Sequence, residues 1–196
     1  MEGIAGLVAG VGYASGLNLY AVIGLLGLFG RYDVAEVPAV FERTDVLVVA
    51  GILFLVEFVV DKIPYVDDAW DVLHTAIRPL GAVGVAWLLT GDAVAWEQFG
   101  SSLAAGGLAT VSHLTKATTR AAVNASPEPF TNSAISLGED GIVAFVVWLA
   151  VTNPVLAIVA VAVLLVVGVV VALLLLRTAR RTWRRWRDKR RATPRP

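Results

Sequence analysis

Val155 to Leu176 is a run of 22 residues without a charge or a polar side chain. At 1.5 Å per residue it matches the ~30 Å hydrocarbon core of a bilayer, and nothing but a helix satisfies its backbone there. That stretch predicts an integral membrane chain. Four more apolar runs lie upstream, and hydrophobic residues make up 57% of the 196, too many for an ordinary soluble domain. The reading is an all-α, polytopic membrane bundle of six spans: Gly3 to Gly30, Asp45 to Ile63, a segment after Pro64 reaching Thr90, Phe99 to Thr119, Leu137 to Val151, and Val155 to Leu176.

The zero net charge hides an asymmetry. Ten of the 16 Lys and Arg lie at or beyond Arg177 with one acid, so the tail carries +9 and the rest −9. Residues 1–176 are therefore read as the membrane domain and 177–196 as a basic tail. RTARRTWRRWRDKRR follows a span directly and carries Trp183 and Trp186, which suits anionic lipid head groups rather than nucleic acid. The positive-inside rule puts this tail in the cytoplasm, and six spans bring the N-terminus to the same side. Lys62, Arg78, Lys116 and Arg120 then fall on the cytoplasmic half, with Arg31 and Arg43 outside. The first segment lacks a basic leader and a cleavage site and is read as a retained span in an inner membrane. The chain has no cysteine, which excludes disulfides, thiolate metal sites and thiol nucleophiles.

Against that background one stretch is out of place. EFVVDKIPYVDDAWDVLHTAIR, from Glu57 to Arg78, lies between apolar runs. Read as a helix after Pro64, Asp67, Asp71, His74 and Arg78 share one face. Glu57 and Asp61 share a face of the preceding segment, and Lys62 and Pro64 close it. Tyr65 to Asp68 reads as a turn, and Pro79 as a kink. The apolar part, Leu80 to Leu89, is too short to cross alone, so its polar half must sink into the membrane or form a re-entrant hairpin. His113, Lys116 and Arg120 share a second face. Glu139 and Asp140, beside Asn124 and Asn132, form a third cluster at the same depth. Each ionisable group there costs about 2.5–3.5 kcal/mol on the lenient insertion scale, so the groups must pair, be wetted or be used. If the clusters converge, Arg78 and Arg120 can neutralise Asp61, Glu139 or Asp140. One outcome is an inert ion-pair clamp; the other is a functional polar cavity.

Several local signals carry alternatives. Ser15, Gly16 and Asn18 interrupt the first apolar run, which is either a tilted helix packed through small residues or a helix broken near Gly16. Asp67-Asp68-Ala-Trp-Asp71 spells D-D-x-x-D, a pattern able to hold a divalent cation, with His74 as a further ligand; acids at a helix start arise equally for the dipole. His113 is either a packed, hydrogen-bonded residue or a proton relay. IRPLGAVGVAWLLTGD from Ile77 resembles LGEDGIVAFVVWLAVTNP from Leu137, which suggests two hairpins of like orientation. The small-residue runs Gly24 to Gly27 and Gly81 to Gly84 allow self-association into a homo-oligomer. No nucleotide-binding or hydrolase motif is present.

Three of these stretches together, GxxxASGLNLY, VEFVVDKIPYVDDAWDVLHTAIRPLGA and SHLTKATTRAAVNASPEPFTNSAISLGED, resemble a bacterial family of small polytopic membrane proteins catalogued as domain of unknown function 4126. The likeness covers most of Gly3 to Val151 and leaves out the last span and the tail. It implies an integral membrane protein and no particular activity. On the residues, the leading expectation is a transporter or channel for a small ion or solute. In it Glu57, Asp61 and Asp71 bind a proton or cation, while Arg78, Lys116 and Arg120 balance charge. The other expectation is a metal-dependent enzyme or binder acting on a phospholipid or polyprenyl-phosphate head group, with the Asp67–Asp71 acids on a divalent cation and Arg78 and Arg120 on phosphate.

Overall fold

The computed structural model describes the backbone over residues 2–63, 66–124 and 129–192, and side chains within 3–63, 66–122, 133–178 and 180–181. Among the described residues every regular element is a helix: α1 (Glu2–Arg31), α2 (Ala39–Glu42), α3 (Thr44–Val60), α4 (Val66–Leu89), α5 (Ala95–Asn124), α6 (Pro129–Thr152) and α7 (Pro154–Ala192). Four stretches are both long and apolar enough to cross a membrane: Gly3–Arg31, Val66–Leu89, Ser133–Thr152 and Pro154–Thr178.

The distribution of polarity is inverted relative to a soluble domain. Leu80 is 69% exposed and Val166 64%, while Arg78, Arg120 and Glu57 are fully buried. Water would drive the opposite arrangement, because burying a charge costs far more than burying a methylene. An apolar exterior around a charged interior is what a lipid solvent selects. The α7 stretch Pro154–Thr178 shows this most clearly, with 11% of its most apolar window buried inside the molecule.

α1 forms the axis on which the other helices pack, and it is not one straight helix. Asn18 has extended backbone angles (φ −153°, ψ 97°), so 2–17 and 19–31 are two helices, here α1a and α1b. Neighbours fix their directions. Along α1a, Gly6 packs on Pro154, Gly10 on Ala150 and Asn18 bonds Asp140, so α6 runs antiparallel to it. Gly12 packs on Ala105, the Ser112 hydroxyl donates to Tyr13 O, and Lys116 donates to Leu17 O, so α5 runs parallel to it. In α7, Pro154 lies at Gly6 and Gly168 lies at Thr115, so α7 also runs with α1a. Glu57 reaches the Arg78–Lys116 level and Asp61 the Lys116–Arg120 level, so α3 climbs with α5. Gly24 and Gly27 of α1b oppose Ala50 and Leu47 in reverse order, so α1b descends beside α3. The chain therefore turns back at Asn18.

The broken form of the first segment holds, not the tilted helix. The N-terminus lies at the end of the bundle that carries the α6–α7 turn, whereas α7 leaves at the other end. The charge bias along the chain is unaffected, because the turns near Lys62 and after Arg120 remain at the tail end.

Other boundaries differ as well. α4 continues through Pro79 and begins at Val66, so Asp67 and Asp68 lie in a helical first turn. α5 begins at Ala95, ahead of the expected Phe99, and α6 begins at Pro129, well before Leu137. Asn153 alone separates α6 from α7. Pro64 and Tyr65 lie outside the described residues. α4 and α6, which carry the two similar segments, run in the same direction and are each followed by a returning helix. The glycines expected to serve self-association are partly used within the chain: Gly27 packs on Phe41 and Gly81 on Leu19, while Gly84 meets nothing within 4 Å.

Candidate functional site

The break in α1 sits against the charged residues. An interrupted helix leaves carbonyls without amide partners at the end of its first half. Here Gly16 O accepts from Arg78 Nη1 at 3.3 Å and Leu17 O from Lys116 Nζ at 3.1 Å. The second half starts with its own cap: Asn18 Oδ1 accepts from the Ala21 amide at 2.9 Å, and Asn18 Nδ2 donates to Asp140 Oδ1 at 3.2 Å. The negative end of one half-helix thus faces two cations, and the positive end of the other faces a carboxylate, as the peptide dipoles prefer.

Around this break α3, α4, α5 and α6 contribute one continuous network. Arg78 Nη2 donates to Glu57 Oε1 at 2.8 Å and Nη1 to Asp71 Oδ1 at 3.2 Å. Lys116 Nζ donates to Asp61 Oδ2 at 2.8 Å and lies 3.6 Å from Glu57 Oε1 and 3.8 Å from Glu139 Oε2. Arg120 reaches Glu139 Oε2 at 2.5 Å, Asp61 Oδ2 at 3.2 Å and Asp67 Oδ2 at 3.4 Å, and donates to Asp61 O at 2.7 Å. The three cations are almost wholly buried, as are Glu57, Asp61, Asp67 and Asp71; Glu139 is half-buried. Glu57 Oε2 and Asp71 Oδ2 are buried and have no hydrogen-bond partner among the described residues.

Two imidazoles border the network, and their partners set their tautomers. Arg78 Nη1 can only donate, so His113 Nδ1, 2.7 Å away, accepts. The ring proton therefore sits on Nε2, which donates to Asp71 O at 3.1 Å, with Thr75 Oγ1 3.2 Å away. Trp70 O can only accept, so His74 Nδ1 donates to it at 2.8 Å; Nε2 then accepts from the Tyr20 hydroxyl at 3.0 Å. Trp70 stacks on His74 with centroids 4.5 Å apart. The guanidinium donor at Nδ1 keeps the His113 ring neutral.

The three polar clusters of the sequence thus meet. Arg120 takes Asp61 and Glu139, as charge matching suggests, but Arg78 takes Glu57 and Asp71 instead of Asp140. Lys62 stands beside the network, its Nζ over the Phe58 ring, donating to Phe58 O at 2.8 Å and 3.5 Å from Ser136 Oγ. The side chains of Asn124 and Asn132 lie outside the described residues. Asp67, Asp71 and His74 share a face; one oxygen of each acid bonds Arg120 or Arg78, and both His74 nitrogens bond Trp70 and Tyr20. No group of three metal-ligating side chains gathers among the described residues. Arg78 and Arg120 bond carboxylates.

Tyr20, Thr75, Ser112 and the carbonyls of Gly16 and Leu17 belong to the site without any charge to mark them. The signal for them was the polar interruption Ser15-Gly16-Leu17-Asn18 in an apolar run.

No curated protein and no solved structure matches the chain. A family model matches residues 5–173, which takes in the broken helix, the whole network and most of the apolar part of α7. On that match the chain belongs to the family described as a domain of unknown function (DUF4126).

Proposed function

We propose that the protein is a small membrane transporter or channel whose network binds a proton or small cation and passes it across the bilayer. One observation carries the reading. The network joins five carboxylates, Glu57, Asp61, Asp67, Asp71 and Glu139, to three cations, Arg78, Lys116 and Arg120, among the described residues. An inert clamp needs a balanced set. A surplus of two carboxylates in a low-dielectric interior has to be met by protons or by bound cations. The uncommitted oxygens of Glu57 and Asp71 are where that positive charge is received. Arg78, Lys116 and Arg120 hold the acids in place and keep their total charge tolerable. The broken α1 supports the same reading, since half-helix ends beside a buried site are how membrane carriers present backbone groups to a solute.

In this reading α3 and α5 cross the bilayer with the apolar stretches of α4, α6 and α7, α1 enters and turns back at Asn18, and the basic end of α7 lies in the cytoplasm on anionic lipid. The positive-inside rule then puts the network in the cytoplasmic half and the N-terminus on the opposite side. The test is ion flux in proteoliposomes over a panel of protons, alkali cations and small organic cations. The expected result is selective movement that Glu57→Gln and Asp71→Asn abolish while the fold persists. No movement of any panel member by folded protein overturns the proposal.

A further inference from the structure

Beside the network lies a cleft of about 310 Å³ between α1b, α3 and α6. That is at the lower end of small-molecule sites, which run to about 300–1,000 Å³. Its walls are apolar and include Leu25, Ala50, Gly51 and Phe54; Tyr20 and Asp140 stand at its polar end. Glycine makes the space: a Cβ on Gly51 would meet nothing within 4 Å, and one on Gly24 only the Ala50 methyl at 4.0 Å. The cleft is not sealed, since Leu28 on its rim is 43% exposed.

Asp140 stands apart from the other acids. Its Oδ1 accepts from Asn18, while its buried Oδ2 has no hydrogen-bond partner among the described residues. It is in none of the ion pairs that hold the five network carboxylates. The α1b N-terminus, capped by Asn18, offers a partial positive charge but not a full one. A carboxylate in no ion pair among the described residues, with Lys116 and Lys62 acting on it only from a longer distance, at the end of an apolar slot with Tyr20 and Phe54 on its wall, is the chemistry that recognises an ammonium group on a small apolar body. A lipid acyl chain would suit the walls equally well, yet it would leave Asp140 facing hydrocarbon.

We propose that this cleft binds a small organic ammonium ion, its charge at Asp140 beside Tyr20 and its apolar part along α3 toward Leu47. This names a solute for the transport reading and rests on that reading for movement, though not for binding. The probe is radiolabelled benzyltrimethylammonium, measured by equilibrium dialysis on the full chain in maltoside detergent, with neopentylbenzene as the neutral isostere. Saturable binding at one site is expected. Asp140→Asn should weaken it about tenfold or more, the usual result of deleting one buried charged partner. Gly51→Leu, whose Cβ meets nothing within 4 Å and whose branch enters the slot, should abolish binding while melting like the wild type; this variant answers the question if Asp140→Asn fails to fold. Equal displacement by neopentylbenzene, undiminished binding to Asp140→Asn, or an unsaturable isotherm overturns the inference. Saturable binding without flux removes the transport reading alone. Flux of an inorganic cation without ammonium binding removes this inference alone.

Discussion

Replacing Arg78 by Met separates a buried network from a solvated one. The guanidinium holds Glu57 at 2.8 Å and Asp71 at 3.2 Å, and also donates to His113 Nδ1 and Gly16 O. Both the Arg78 and the Glu57 side chains are 0% exposed, so no water stands ready to replace the lost donor. Removing one partner of such a buried pair typically costs about 3–5 kcal/mol, most of it the penalty on the charge left behind. Met is apolar and of similar length, so packing changes little and the electrostatic cost dominates. Arg43→Met is the control. Its pair with Asp45 is as short, 2.7 Å, but both side chains are 64% exposed, and a pair in open solvent adds little to stability. Reversible SDS unfolding of the purified chain in bicelles measures both. Adding Glu57→Gln and Asp71→Asn to Arg78→Met should recover much of the loss, because the stranded charges are gone. If Arg78→Met costs no more than Arg43→Met, the network is open to water and the reasoning from burial fails.

Two further outcomes follow from the turn-back at Asn18. Gly16→Ala drives a methyl onto Ser112 Oγ and Ala109 O, and such overpacking costs about 1–3 kcal/mol, whereas Gly84→Ala meets nothing within 4 Å and should be neutral or slightly stabilising by the same assay. The chain has no cysteine, so single cysteines at Gly3 and Arg180 can be labelled in sealed vesicles with a membrane-impermeant maleimide; labelling of the two from opposite sides is expected, and labelling of both from one side contradicts the folded-back α1.

Much of the site could be read from sequence because its physics is local. Asp67, Asp71, His74 and Arg78 keep helical spacing, as do His113, Lys116 and Arg120, and a charge in an apolar helix has few places to go except the interior. Which cation met which acid was less accessible, since that depends on the rotation and level of four helices. The direction of α1 was inaccessible for a different reason. One residue, Asn18, carries the reversal, and its run of small and apolar neighbours reads the same in a straight helix as in a bent one. Asp140 looked like a partner for Arg78; instead Arg78 bonds Gly16 O and Asp140 bonds the Asn18 side chain.

The claim on which the rest depends is that the network's surplus negative charge is exchangeable. Infrared difference spectroscopy of the reconstituted protein, after a step in pH or in sodium or potassium concentration, reads it directly. The expected result is the loss or gain of a protonated-carboxyl band that disappears in Glu57→Gln or Asp71→Asn. Spectra that show no carboxyl change across any of these steps would mean a static ion-pair clamp, and would contradict the account.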